Sequence, residues 1–255
     1  MLRHVPTEPG RIALVLMACL LGTGVLGASA ASQAPPSWVL RGPYSPPIEP
    51  SDFVAGVDNP YFPLKPGTAF HFTGVSGKTP QTDEMVVTGE TKRILGITCT
   101  VVRDTVFQHG TPLERTFDWY AQDKRGNVWY LGEDSLELKH GRFVRASDSW
   151  QAGVNGGKPG IIMEGHPKQG TVYRQEYYKP GGALDQARVL GRGSIRVPYG
   201  TFKSSLVTVE WSPVEPQLEK KYYVAGIGEV EEHLVQGGRE HFELASVSHR
   251  RLRAS

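Results

Sequence analysis

Two glutamates occupy strand-like surroundings where a carboxylate can do acid–base work. Glu176 lies in Tyr173-Arg174-Gln175-Glu176-Tyr177-Tyr178, and Glu210 in Val207-Thr208-Val209-Glu210-Trp211. Two carboxylates facing one bond are the minimum apparatus for hydrolysis: one donates a proton while the other activates water or attacks. Strand alternation groups Glu210 with Thr208, opposite Val207, Val209 and Trp211, and groups Glu176 with Arg174. If the apolar set is core, both carboxylates face water and pair across strands with Arg174 and lysines. Glu176 and Glu210 are candidates on this basis, and no catalytic residue is assigned.

Other chemistries lack their residues. His71, His109, His140 and His166 stand singly, without metal-ligand spacing. Asp123 to Asn127 lacks the alternating oxygens and closing glutamate of a calcium loop and reads as a turn. No nucleophile elbow, phosphate-binding glycine loop or dinucleotide fingerprint occurs. Cys99, within Thr98-Cys99-Thr100-Val101-Val102, reads as a buried, inert thiol. No metal and no cofactor is expected.

The remaining chemical signal is aromatic. Tyrosines and tryptophans concentrate on the strand-like segments, and such rings either fill a barrel core or line a pocket for an apolar ligand. The residues expected to contact such a ligand are Tyr130 and Tyr177, with Ile161, Ile162 and Met163 from an apolar cover. These three lie in 150–170, the longest irregular stretch, which could gate an opening.

The elements that must position these residues are strands. From Thr68 onward short β-rich runs alternate with turn signals, and no 3.6-residue period persists for a dozen residues. Strands are expected near 68–73, 84–90, 98–107, 113–123, 127–133, 135–139, 142–147, 171–178, 187–197, 206–212, 219–224, 228–235 and 240–248. Two hairpins can be set in register. Asp123-Lys124-Arg125-Gly126 fits a type I turn with a left-handed glycine. It sets Ala121 opposite Trp129 and Trp119 opposite Leu131. Phe117, Trp119, Trp129 and Leu131 then share an apolar face, while Asp118, Tyr120, Gln122 and Tyr130 share a polar one that meets solvent or a polar lumen. A two-residue loop at Gly237-Gly238 sets His233 opposite Phe242, which sends His233 and His241 to opposite faces. Gly191-Arg192-Gly193 reads as a bulge. So many antiparallel strands need closure to protect their edges. The expected fold is all-β, a single-domain antiparallel barrel or half-barrel, with a two-sheet sandwich as the alternative.

Before the strands come two different leaders. Residues 1–30 carry Arg3 and Arg11, an apolar run from Ile12 to Leu26, and Ala28-Ser29-Ala30, the pattern of an export signal cleaved after Ala30. The run is short for a stable membrane span. Lipid attachment at Cys19 is the alternative, but the apolar run continues well past that cysteine. Secretion or a periplasmic location follows. Residues 31–50 are rich in Pro and Ser and read as a disordered lead-in. The β-rich domain spans 51–249, starting with a helical turn at Pro50 to Phe53 capped by Ser51. Asp58 to Gly67 holds Pro60, Pro63 and Pro66 and reads as an apolar plug at the domain's mouth.

Charge excludes more than it selects. Without residues 1–30 the chain keeps 26 basic and 25 acidic residues, and its one basic cluster is the tail, 250–255. A nucleic-acid role has no compositional support. Cys99 alone remains, so no internal disulfide forms.

Three stretches carry a resemblance. Asp58-Asn59-Pro60-Tyr61-Phe62-Pro63-Leu64-Lys65-Pro66-Gly67, Asp118-Trp119-Tyr120-Ala121-Gln122-Asp123 with Gly126-Asn127-Val128-Trp129-Tyr130, and Lys158-Pro159-Gly160-Ile161-Ile162-Met163 resemble signatures of a bacterial secreted β-rich family of unknown function. That likeness covers about 55–248 and implies export and a β fold, with no activity. Lys221 to Val230 is locally similar to a strand turn of periplasmic half-barrel lipoproteins, which implies lipid binding. The combined expectation is noncatalytic binding of an apolar or amphipathic small molecule in the envelope. The alternatives are a hydrolase using strand carboxylates and a cell-surface structural or interaction module. Oligomeric state is not readable from the residues.

Overall fold

The computed structural model describes residues 35–249. Residues 1–34, which include the expected export signal and Cys19, and the tail 250–255 lie outside the described residues. A short 3₁₀ turn, Pro50–Asp52, precedes fifteen strands. These are β1 (Phe53–Val54), β2 (Thr68–Ser76), β3 (Thr79–Ile94), β4 (Ile97–Gln108), β5 (Thr111–Asp123), β6 (Val128–Lys139), β7 (Arg142–Arg145), β8 (Lys158–Met163), β9 (Val172–Arg174), β10 (Glu176–Tyr177), β11 (Gln186–Val197), β12 (Gly200–Ser212), β13 (Glu215–Val224), β14 (Gly228–Gln236) and β15 (Glu240–His249). All pairings are antiparallel, and the sheet runs β10-β8-β6-β5-β4-β3-β2-β15-β14-β13-β12-β11-β9.

The two ends of that path belong to one short piece of chain. Val172–Arg174 pairs with β11, and after Gln175 alone Glu176–Tyr177 pairs with β8. The sheet is thereby rolled into a nearly closed barrel, which leaves almost no free edge. The seam is tight: a Cβ on Gly160 would lie 2.2 Å from the Gln175 carbonyl oxygen, so glycine is required where the segment crosses β8.

Local chemistry explains the up-and-down course. Leu95-Gly96, His109-Gly110 and His140-Gly141 each place two consecutive residues at positive φ, closing hairpins whose flanking pairs are Ile94↔Ile97, Gln108↔Thr111 and Lys139↔Arg142. Such two-residue turns match the strands' right-handed twist. His109 and His140 are thus turn residues. The β5–β6 turn forms as expected, with Gly126 at φ 85 and Ala121 opposite Trp129. A bulge between Asp118 and Tyr120 shifts the register beyond it. The 189–195 stretch carries the expected irregularity as two register shifts.

Four expectations change. Ser51 is not a cap: the turn begins at Glu49 with no side-chain cap, and proline supplies its first residue. The 127–133 and 135–139 runs are one strand. Residues 35–50 do not trail free. The Leu40 amide donates to Gln186 Oε1 (2.7 Å) and the Tyr44 hydroxyl to the Pro159 carbonyl (3.0 Å), which straps the lead-in over the seam. The largest change is at 150–170. Ile161, Ile162 and Met163 form β8 inside the sheet, not a cover. The outer edge of β6 is filled in three pieces: β7, then residues 150–152 hydrogen-bonded to Leu131 and Glu133, then β8.

The barrel has two distinct ends. One holds the plug: the Gly226 amide donates to the Pro60 carbonyl, and Asn59 Nδ2 donates to Gly126 and Glu164 carbonyls at 2.8 and 3.1 Å. Phe62 and Leu64 are buried there, as the plug reading requires. At the other end lie the β2–β3, β4–β5 and β14–β15 turns.

Candidate functional site

The polar face of the β5–β6 hairpin is the lumen. Asp118, Tyr120 and Tyr130 are sealed inside, whereas Phe117 and Trp129 are only half-buried. The polar side is indoors, but the apolar side is not simply outside: Trp119 and Leu131 are buried as well, beside the bulge between Asp118 and Tyr120. The same inversion applies to β12, where Thr208 and Glu210 are buried, and to Glu176. Glu176 and Glu210 therefore do not face water.

A column of rings runs from the plug into this interior. Phe62 meets Tyr120 edge-on (5.2 Å), Tyr120 stacks on Tyr130 (4.9 Å), and Trp150 meets Tyr130 edge-on (5.5 Å). Trp150 Nε1 then donates to Glu176 Oε2 at 2.8 Å. Beside the column, the Tyr130 hydroxyl lies 2.7 Å from Asp118 Oδ1 and 3.0 Å from Glu133 Oε2. A phenol has one hydrogen, so both contacts are satisfied only when one carboxyl keeps a proton and donates in turn. Burial pushes both carboxyls well above their ordinary range, reinforced by Asp104 at Asp118 and by Glu176 at Glu133.

Carboxyls continue along the lumen. Asp83 and Asp104 are buried neighbours on β3 and β4, and burial, opposed by the contact with Asp104, raises Asp83 to about 8. Lys221 stands 3.7, 3.3, 3.9 and 3.1 Å from Glu210, Glu219, Glu229 and Glu232. Burial alone would discharge its ammonium, but Glu219, Glu229, Glu232 and Glu210 outweigh burial and hold it charged. One ammonium among four carboxylates leaves an excess of negative charge that must be met by protons or by another cation.

The predicted site residues separate. Glu210 sits in the Lys221 cluster, accepting from Thr208 (3.1 Å) and Tyr223 (3.4 Å). Glu176 sits with Trp150, and the charges acting on it are Asp185, Asp148 and Asp118. Tyr130 is central but locked in the ring column. Tyr177 packs at the seam against Tyr44 (5.4 Å). Ile162 and Met163 are buried as strand residues. None of these lines the small pocket beneath the plug, which holds about 10 Å³ and is bounded by Phe62, Pro63, Leu64, Phe70, Phe72, Met85, Ile227, Gly228 and Glu229. That volume takes about one water. Apart from Glu229 its wall is apolar.

His233 and His241 also differ from expectation. They are direct cross-strand partners, one residue out of the expected register. His233 Nδ1 and His241 Nε2 lie 2.6 and 3.1 Å from the same Glu231 oxygen. That hydrogen bond raises the His241 pKa against its partial burial. Cys99 is buried as expected, its thiol pushed up to about 12 by burial.

The fold and interior define a class: an antiparallel, nearly closed barrel with a carboxyl-lined lumen and an apolar plug. No family model matches the sequence, and no curated protein matches it. Two solved structures are similar in shape. One is from Bacteroides fragilis, a "putative exported protein with YmcC-like fold", at TM-score 0.45 and 12% identity, covering 74% of this chain and 98% of that one. The other is a "putative lipoprotein" from Parabacteroides distasonis, at TM-score 0.33 and 11% identity, with the same coverage of 74% and 98%. Likeness of that degree bears on neither ligand nor activity. Among the described residues, no helix is long and apolar enough to cross a membrane.

Proposed function

We propose that this is an exported, noncatalytic binding protein for an amphipathic small molecule carrying a positive charge. Export rests on the Arg3–Ala30 leader. The observation that carries the ligand reading is the pocket under the plug, apolar on every side except for Glu229, behind which the luminal carboxyls begin. Phe62 and Leu64 fill the barrel mouth as a ligand's hydrocarbon would. An alkyl chain binds by displacing them, and its cationic head is drawn to Glu229. A fatty acid would bring its carboxylate to that same acidic floor, so the preference is for a cation.

The test is displacement of a fluorescent single-chain alkylammonium from the full mature protein, with a fatty acid of equal length in parallel. The alkylammonium should bind, Phe62→Ala should tighten it by vacating the mouth, and Glu229→Gln should weaken it. Equal binding of both amphiphiles would overturn the charge preference. Binding of neither would overturn the carrier reading and leave a surface module.

A further inference from the structure

The end of the barrel away from the plug carries a different constellation. Glu219 on β13, Glu232 on β14 and Glu240 at the start of β15 each place a carboxylate oxygen within 4.8 Å of the other two. Ligands of one calcium ion, each about 2.3–2.6 Å from it, lie at most about 5 Å apart. Glu219 and Glu232 are buried, while Glu240 is half-buried beside the β14–β15 turn and offers a route from solvent.

A second observation points to a ligand. Glu232 has no solvent exposure (0%), and its Oε1 has no hydrogen-bond donor. The Lys221 ammonium stands 3.1 Å from Oε2. The other groups acting on Glu232 include the carboxyls of Glu219 and Glu229, which add like charge beside it. A buried carboxylate oxygen without a donor is costly, and a hard cation satisfies it directly. The phase of β14 produces this placement. A bulge opposite Tyr222 and Tyr223 lets Glu229 and Glu232, three residues apart, both face Lys221's side of the strand.

We propose that Glu219, Glu232 and Glu240 form a calcium site inside the barrel at the end opposite the plug. The ligands are all carboxylate oxygens, which suits a hard cation, and three carboxylates in mono- or bidentate modes fill much of a calcium shell. Lys221 then faces Glu210 and Glu229, so one ammonium and one divalent ion share the luminal charge. The site is independent of the amphiphile pocket at the plugged end.

The experiment is calorimetric titration of calcium into chelator-treated mature protein, with magnesium as competitor. Wild type should bind one calcium per chain, and Glu240→Gln should weaken it at least tenfold. Glu232→Gln should abolish binding, and Glu84→Gln, on the outer wall, should leave it unchanged. If Glu232→Gln fails to fold, the half-buried Glu240→Gln still decides. Folded wild type that ignores millimolar calcium would show that protons alone balance the carboxylates and would overturn the proposal. Binding unchanged in Glu240→Gln would overturn it as well.

Discussion

Tyr130 joins the ring column to the luminal carboxyls. Its hydroxyl touches both Asp118 and Glu133, and nothing else in its sequence neighbourhood marks it for that role. Tyr130→Phe keeps the ring stack and removes only the oxygen, stranding two buried carboxyls. The expected cost is about 1–3 kcal/mol of stability, read by urea unfolding. No change would mean that Asp118 and Glu133 reach water by another path. At this scale the sequence was legible in parity; for the β5–β6 hairpin it left solvent and a polar lumen both open, and for Glu210 it pointed outward, which burial reverses. Alternation correctly grouped Asp118, Tyr120, Gln122 and Tyr130, and Thr208 with Glu210. It could not say which group lay inside, because a barrel has a buried side whether or not that side is apolar. Asp83 and Asp104 gave no signal alone; only closure brings β3 and β4 around the others.

Among the elements, turn chemistry was the most readable feature and register the least. The Gly126 turn and the 189–195 bulge followed from glycine placement. The β14–β15 hairpin slipped by one residue, and that slip turns two opposed histidines into a facing pair. β8 was unreadable as a strand because Pro159 and Gly160 argue against one, yet Gly160 is needed for the seam. The plug was legible from its prolines, but its anchor, Asn59, was not. Asn59 donates twice into 126 and 164, and its Oδ1 accepts from the Tyr61 amide at 2.8 Å. Asn59→Ala should therefore loosen the plug alone. Hydrogen exchange should speed in 57–67 while β3 to β6 stay protected. Acceleration throughout the barrel would show that the plug is part of the cooperative core.

For the molecule as a whole, the carboxyl-lined interior is the central feature. Folding encloses acids whose protons it retains. Burial raises Asp83 and Glu114 to about 8, and Glu229, despite Lys221, to about 7. In the unfolded chain such groups titrate near pH 4. Between those values the native state holds more protons than the unfolded state, so stability is fully present below about pH 4 and declines as pH rises toward 8. Most acid-denaturing proteins show the reverse slope, because their carboxylates are ionised and paired when folded. A bound divalent cation would flatten the decline by taking the protons' place. The decisive measurement is therefore the unfolding free energy of chelator-treated protein in urea, from about pH 5 to about pH 9. The acidic lumen predicts a fall in stability from about pH 5 to about pH 8. Stability that is flat or rising between about pH 5 and about pH 8 would contradict it, and would mean that these carboxyls are ionised and solvated in the folded protein.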